Sequence, residues 1–271
     1  MKNSLASVAD GHAQQGVARR VVLLGASNLT KGIGTVLETA YRSWGRPLEV
    51  HTALGHGRSY GLSSSVLGRQ LPGILECGLW QVLADSAAMN TASLVTDIGN
   101  DLLYEQPVER IAQWIQECLD RLTALKTRTV VTLLPVENLL TLSRARFQLM
   151  RTLFFPYSRL TLDEVSRRAL ALNERVRRLA TDRGCSLVTQ RAIWYGFDPI
   201  HIKPRQRPTA WREILAHWSE TAQFFQPARG TLARTLYLQS RVPHRRRVLG
   251  FEQRGRQPAG RLRDGTTVAI Y

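Results

Sequence analysis

Five short aliphatic runs alternate along this chain with segments whose apolar residues recur every three or four positions. The first of them shows none of the every-other-residue polarity of a half-solvated strand. Strands covered on both faces read in this way, so the pattern predicts a parallel sheet enclosed by helices. The runs are Arg20–Ala26, Leu48–Leu54, Ser93–Ile98, Thr129–Leu134 and Ser186–Thr189. Between them, Ile33, Val36, Leu37, Ala40 and Trp44 share one helical face that Gly45 ends, and Val108, Ile111, Ile115, Leu119 and Leu122 share another behind Pro107. Thr161 and Glu164 make a capping-box pair for a third helix, and Pro208–Phe224 predicts a last one with Trp211, Leu215 and Trp218 inward. Leu62–Asp85 is expected to be helical in part. The fold class is therefore a three-layer α/β/α domain with a five-stranded parallel sheet over residues 19–228. An N-terminal extension, 1–18, precedes it, and a basic C-terminal tail, 229–271, follows.

The 37 Lys and Arg residues against 21 Asp and Glu give a formal charge of +16. About half of that excess lies after residue 228, where Arg229, Arg234, Arg241, Arg245, Arg246, Arg247, Arg254, Arg256, Arg261 and Arg263 face only Glu252 and Asp264. Such a tail either touches a polyanion, nucleic acid or anionic lipid, or is simply solvated without a dedicated partner; the second is the expectation. Cys77, Cys118 and Cys185 are odd in number, far apart and outside any C-x-x-C pattern, which argues against a disulfide framework or a zinc site. The first twenty residues contain no apolar core of a signal peptide, and no later run reaches the roughly 18–20 apolar residues of a spanning helix. A cytoplasmic location is the default.

Nucleotide and metal motifs do not fit. "GASNLTKG" has Thr30 before Lys31 and Gly32 after it, whereas a phosphate loop needs glycine before the lysine and Ser or Thr after. "GIGTVL" lacks the third glycine of a dinucleotide fingerprint, and the six histidines show no ligand spacing, so no cofactor is implied.

In a doubly wound sheet the ligand lies beyond the carboxyl ends of the strands. Ser27 follows the first run directly, Gly57 lies in "GHGRSYG" after the second, Asn100 and Asp101 lie in "DIGNDLLY" after the third, and Asp198 and His201 lie in "FDPIHIKP" after the fifth. These residue types suit acyl transfer. A serine hydroxyl becomes a nucleophile when an imidazole takes its proton, and a carboxylate keeps that imidazole in the right tautomer. The Ser27 amide, the Gly57 amide and the Asn100 side chain are candidate donors to the oxyanion of a tetrahedral intermediate.

The four blocks "GASNLTKG", "GHGRS", "IGND" and "DPIH", in this order over most of residues 20–225, resemble those of the SGNH (GDSL-like) hydrolase superfamily. Ala26 stands where that family usually has aspartate, and Ile98 where its third block opens on glycine; neither position carries a proton in the mechanism. The resemblance implies a flavodoxin-like sheet and esterase, acetylesterase, thioesterase or lysophospholipase activity without a metal. It puts the family's serine on Ser27, glycine on Gly57, asparagine on Asn100, and aspartate and histidine on Asp198 and His201.

Around these blocks, His56, Arg58 and Tyr60 are candidates to bind a polar or anionic part of a small ester substrate, with a charged loop the alternative, and Trp194, Tyr195 and Phe197 to line a pocket, with core packing the alternative. The apolar and basic stretch around Phe147, Leu153, Phe154 and Phe155 is a candidate lid or interface. A different class of function fits the same sequence: a catalytically weak binding protein that contacts nucleic acid or anionic membrane through its basic surface.

Overall fold

In the computed structural model, which describes residues 19–219 and 225–271, each aliphatic run overlaps a strand, buried in all but the short last one. In chain order the elements are β1 (Arg19–Leu24), α1 (Ser27–Trp44), β2 (Leu48–Ala53), β3 (Ser64–Val66), β4 (Arg69–Leu71), α2 (Leu79–Asp85), β5 (Asn90–Val95), α3 (Asn100–Leu103) and α4 (Val108–Ala124). They continue with β6 (Arg128–Thr132), α5 (Val136–Leu140), α6 (Arg144–Phe154), α7 (Leu162–Asp182), β7 (Ser186–Val188), α8 (Arg207–Leu215), α9 (Leu232–Gln239), β8 (Arg246–Val248), β9 (Phe251–Gln253), β10 (Gly260–Arg261) and β11 (Thr267–Ile270). The expected extension at 1–18 and the end of the last expected helix, 220–224, lie outside the described residues.

The central sheet has the order β10-β11-β2-β1-β5-β6-β7 and is parallel except for β10. Its β2-β1-β5-β6-β7 portion is the five-stranded, doubly wound arrangement expected from the sequence, with order reversing at β1. Alternation along β1 feeds both layers. Val21 and Leu23 pack with Ile33, Val36 and Leu37 of α1 and Trp211 and Ile214 of α8; Val22 and Leu24 pack with Ile111 and Ile115 of α4 and Leu172 and Val176 of α7. Each such fully buried side chain contributes roughly 1.5–3 kcal/mol. The Thr161 and Glu164 capping box starts α7 as its sequence implies.

The C-terminal segment departs from expectation. It is not a solvated tail: α9 packs on α1, and β11 joins β2 in parallel register, Thr267 opposite Glu49 and Ile270 opposite Thr52. The sheet therefore has seven strands rather than five. The physical reason is the open edge of β2, whose unpaired backbone groups the uncharged Val268, Ala269 and Ile270 satisfy while burying their own side chains. The expected boundary at 228/229 divides no packing unit.

Part of the expected helical stretch 62–85 is instead a hairpin, β3–β4, which pairs through β4 with the hairpin β8–β9 in a second, antiparallel sheet of order β3-β4-β8-β9. Both hairpins turn on a Leu-Gly pair, Leu67-Gly68 and Leu249-Gly250, with positive φ at every position, the tight-turn geometry that matches strand twist.

Removing residues 260–271 uncovers the β2 edge. Loss of Val268 and Ile270 alone is expected to lower stability by about 3–6 kcal/mol, read as a fall in the urea midpoint. An unchanged midpoint would make β11 dispensable.

Candidate active site

The first turn of a helix leaves amides without intrahelical acceptors, and Ala26, at the N-cap of α1, has no side chain to offer them. Asp97 supplies the acceptor from the end of β5. Its Oδ2 accepts from the amides of Ala26 at 2.9 Å, Asn28 at 3.0 Å and Leu29 at 3.2 Å. Asp97 has φ +58°, a left-handed conformation that aspartate tolerates better than most side chains. A carboxylate here also complements the positive end of the helix dipole. The cap skips the amide of Ser27, which begins α1 at the sheet edge.

The loop after the short turn at Ala192–Trp194 brings the other two members. Asp198 Oδ1 accepts from the amides of Ile200 (2.9 Å) and His201 (3.2 Å), folding the loop back on itself. Asp198 Oδ2 then lies 2.6 Å from His201 Nδ1, and His201 Nε2 lies 3.0 Å from Ser27 Oγ. Burial works to raise the Asp198 carboxyl, but the hydrogen bond and charge of His201, with the two amides, outweigh it and hold the group below its ordinary range. Asn28 fixes this loop to α1. Its Nδ2 donates to Asp97 Oδ1 (2.9 Å) and to the Ile200 carbonyl (3.0 Å), and its Oδ1 accepts from the Ile202 amide (2.8 Å), so it grips the chain on both sides of His201. Phe154, at the end of α6, meets the His201 ring edge-on at 5.3 Å.

The second and third blocks also interlock. Asn100 Nδ2 donates to the Arg58 carbonyl at 3.1 Å, and the Tyr104 hydroxyl donates to the Gly57 carbonyl at 2.5 Å. Asp101 accepts from the Ser59 hydroxyl and, at 2.9 Å, from the Tyr60 amide. Gly57 has φ +60°, and a Cβ there would lie 2.7 Å from Val66 Cγ2 and 2.8 Å from the Tyr104 hydroxyl. Of the three glycines in this loop it is the one in a conformation that demands glycine.

Three expected substrate-binding residues do not face the site. Arg58 is fully buried and donates to the main-chain oxygens of Leu54, Pro72 and Tyr271, so it braces the loop against β11. Tyr60 is fully buried with its hydroxyl on the Thr96 carbonyl at 2.7 Å. Trp194 is packed in the core with Tyr195 and Ile202. Arg58 thus turns to main-chain oxygens, while Tyr60 and Trp194 turn into the core. Sequence reasoning missed Asn28, Asp97 and Tyr104; a helix start without its own cap at Ala26 was the available signal for Asp97.

No protein-family model matches the chain, and no curated protein matches it. Solved structures do. One spans 77 % of this chain and 99 % of its own at 13 % identity and TM-score 0.51. The psychrotrophic esterase EstA from Pseudoalteromonas sp. covers 71 % of this chain and 93 % of its own at 13 % identity and TM-score 0.44, and the SGNH-hydrolase family esterase AlinE4 covers 64 % and 76 % at 20 % identity and TM-score 0.38. The first of these shares the doubly wound α/β fold of this chain. At these identities the likeness is one of fold alone.

A small apolar cavity of about 90 Å³ opens beside Ser27 and Asn100, lined by Leu102, Leu133, Leu134, Leu139, Val165 and Ile200. A larger open groove of about 750 Å³ runs between β3 and the end of α6, with Phe154 in its wall. Among the described residues no group of three or more His, Cys, Asp or Glu could hold a metal ion, and no helix is long and apolar enough to cross a membrane.

Burial pushes the Asp101 carboxyl up to about 6, against the hydrogen bonds from Ser59 and Tyr60. A carboxyl raised on folding binds its proton more tightly in the native state, so its contribution to stability is fully present below about pH 4 and is lost as pH rises through about 6. Against Asp101→Asn, wild-type stability is expected to decline over that window by about 3 kcal/mol at most, measured by urea unfolding at each pH. Parallel curves for the two proteins would contradict this.

Proposed function

We propose that this chain is a serine hydrolase of carboxylic esters, of the esterase, acetylesterase or thioesterase type. The observation that carries the reading is the unbroken line from Ser27 Oγ through the His201 ring to Asp198 Oδ2. An ionised carboxylate only accepts, so Asp198 keeps the ring proton on Nδ1 and turns the Nε2 lone pair toward the Ser27 hydroxyl. As Oγ attacks the ester carbonyl, its proton passes to Nε2, and Asp198 stabilises the imidazolium that forms. Collapse of the tetrahedral intermediate expels the alcohol with that proton. Water then repeats the sequence on the acyl-enzyme and releases the acid.

The oxyanion draws on three donors. The Ser27 amide is left over by the Asp97 cap, the Gly57 peptide is oriented by Tyr104 through its carbonyl, and Asn100 has a second Nδ2 hydrogen beyond the one given to Arg58. The apolar cavity beside Ser27 and Asn100 suits a short acyl group. A catalytically weak binding protein gives no reason for this alignment, nor for the grip of Asn28 on both sides of His201.

Ser27→Ala is expected to abolish both ester turnover and labelling by a serine-directed phosphonate while the protein stays folded. Persistent labelling in that variant would remove the nucleophile assignment. Asn100→Ala is expected to lower kcat by about 100- to 1000-fold with a modest change in KM, because the donor engages mainly the charged intermediate. Kinetics on a short acyl ester check this, and an Asn100→Ala enzyme of unchanged kcat would reduce Asn100 to a loop tie.

A further inference from the structure

Away from the catalytic line, one cavity collects positive charge that no carboxylate answers. A groove of about 390 Å³ extends from Thr30 and His56 to the small sheet and the end of α9. Arg69, Arg241, Arg246 and His56 line it, and no Asp or Glu does. Strand register explains the convergence. Val66 pairs with Arg69, Ser64 with Leu71, and Arg69 with Val248, and directly paired residues share a face. Arg246, two residues from Val248, lies on that same face, so Ser64, Val66, Arg69, Leu71 and Arg246 all turn into the groove.

These cations keep unused donors. Among the described residues no hydrogen bond or ion pair engages the Arg69 side chain. Arg246 uses Nε on Gln253 at 2.9 Å, and the nearby Glu252 is occupied by Arg245 and Arg254. Burial and the facing charge of Arg69 hold the Arg246 guanidinium below its ordinary value. Burial and the charges of Lys31, His201 and Arg69 likewise lower His56, which places it electrostatically between the catalytic histidine and the arginines. Like charges gathered in one concavity repel until an anion joins them.

We propose that this groove binds an anionic group, phosphate foremost, carried on the alcohol portion of the ester substrate. The proposal rests on the hydrolase reading for its account of the substrate, since the apolar cavity at Ser27 takes the acyl side and leaves the groove for the alcohol. Thr30, in its wall, is one helical turn of about 5 Å from Ser27, and His56 adjoins Gly57. Several guanidinium forks match the multiple oxygens of a phosphate better than a single carboxylate does. A long polyanion would need a charged track, whereas Leu54, Leu71, Leu238 and Ile270 line this groove beside its cations.

The test has two arms. In the first, kcat/KM is measured for phenyl acetate and for 4-acetoxyphenyl phosphate, with the wild type and with Arg69→Gln/Arg246→Gln. The wild type is expected to prefer the phosphorylated ester by ~10-fold or more, the size of a hydrogen bond to a charged group, and the preference is expected to fall toward parity in the double variant. In the second, inorganic phosphate and 4-hydroxyphenyl phosphate are titrated calorimetrically into Ser27→Ala, with and without the arginine substitutions, and Arg241→Gln serves as an independent variant if the double variant unfolds. Saturable one-to-one binding that the substitutions weaken at least tenfold supports the site, even if neither ester is hydrolysed in a Ser27-dependent way; that combination would sink the hydrolase reading alone. Equal, measurable Ser27-dependent turnover of both esters by the wild type, or phosphate binding indifferent to the arginines, overturns the proposal. So does binding confined to phosphatidylglycerol vesicles or an oligonucleotide with none to phosphate.

Discussion

One carboxylate organises the proposed nucleophile and the proposed base together. Asp97 takes three amides at the start of α1 and the side-chain amide of Asn28, and Asn28 in turn holds the chain before and after His201. Ser27 and His201, 174 residues apart, therefore share an anchor that is neither of them. This matters because a misplacement of about 1 Å can cost about 100-fold in rate. The strand–helix corner at Gly25–Ser27 has no acceptor of its own, so the sheet supplies one from the neighbouring strand β5.

Four residues later in the same segment, Asp101 performs the corresponding task for the second block. By accepting from Ser59 and Tyr60 it fixes the loop whose Gly57 carbonyl Tyr104 holds from the other side. The turn after β5 thus ties the β1 corner with Asp97 and the β2 loop with Asp101, and Asn100 lies between them. Keeping Asp101 in a dry interior costs stability above about pH 6, and the return is a loop after β2 fixed against the turn after β5.

Much of this was legible because strand covering and helical periodicity are local signals. The five strands of the β2-β1-β5-β6-β7 portion match the aliphatic runs to within a few residues, and α1 ends at Gly45 as its sequence implies. Long-range tasks were not legible. Val268–Ile270 is too short a run, and too near Arg261 and Arg263, to announce a strand until the β2 edge is known to be open. Arg58 and Tyr60 sit one and three residues from Gly57 yet turn inward, Arg58 to the main-chain oxygens of Leu54, Pro72 and Tyr271 and Tyr60 to that of Thr96. Sequence proximity identified the loop but not which side chains face out of it.

The arginine excess reads differently once its partners are known. Arg121 donates to the Leu75 carbonyl, Arg128 to Trp218, Arg151 to Leu160, Arg183 to Leu179 and Arg207 to Lys31, all within 3.2 Å. A guanidinium has five donors and an apolar stem, so it can close a helix end or loop that lacks amide partners while its charge stays near water. Net charge is then partly a by-product of bracing, which is why +16 alone does not call for a polyanion. What sets Arg69 and Arg246 apart is that both line a shared concavity, where no carboxylate meets them and Arg246 gives only its Nε to the Gln253 side chain. The meaning of a basic residue in this chain depends on what its donors meet, and the groove is where they meet each other.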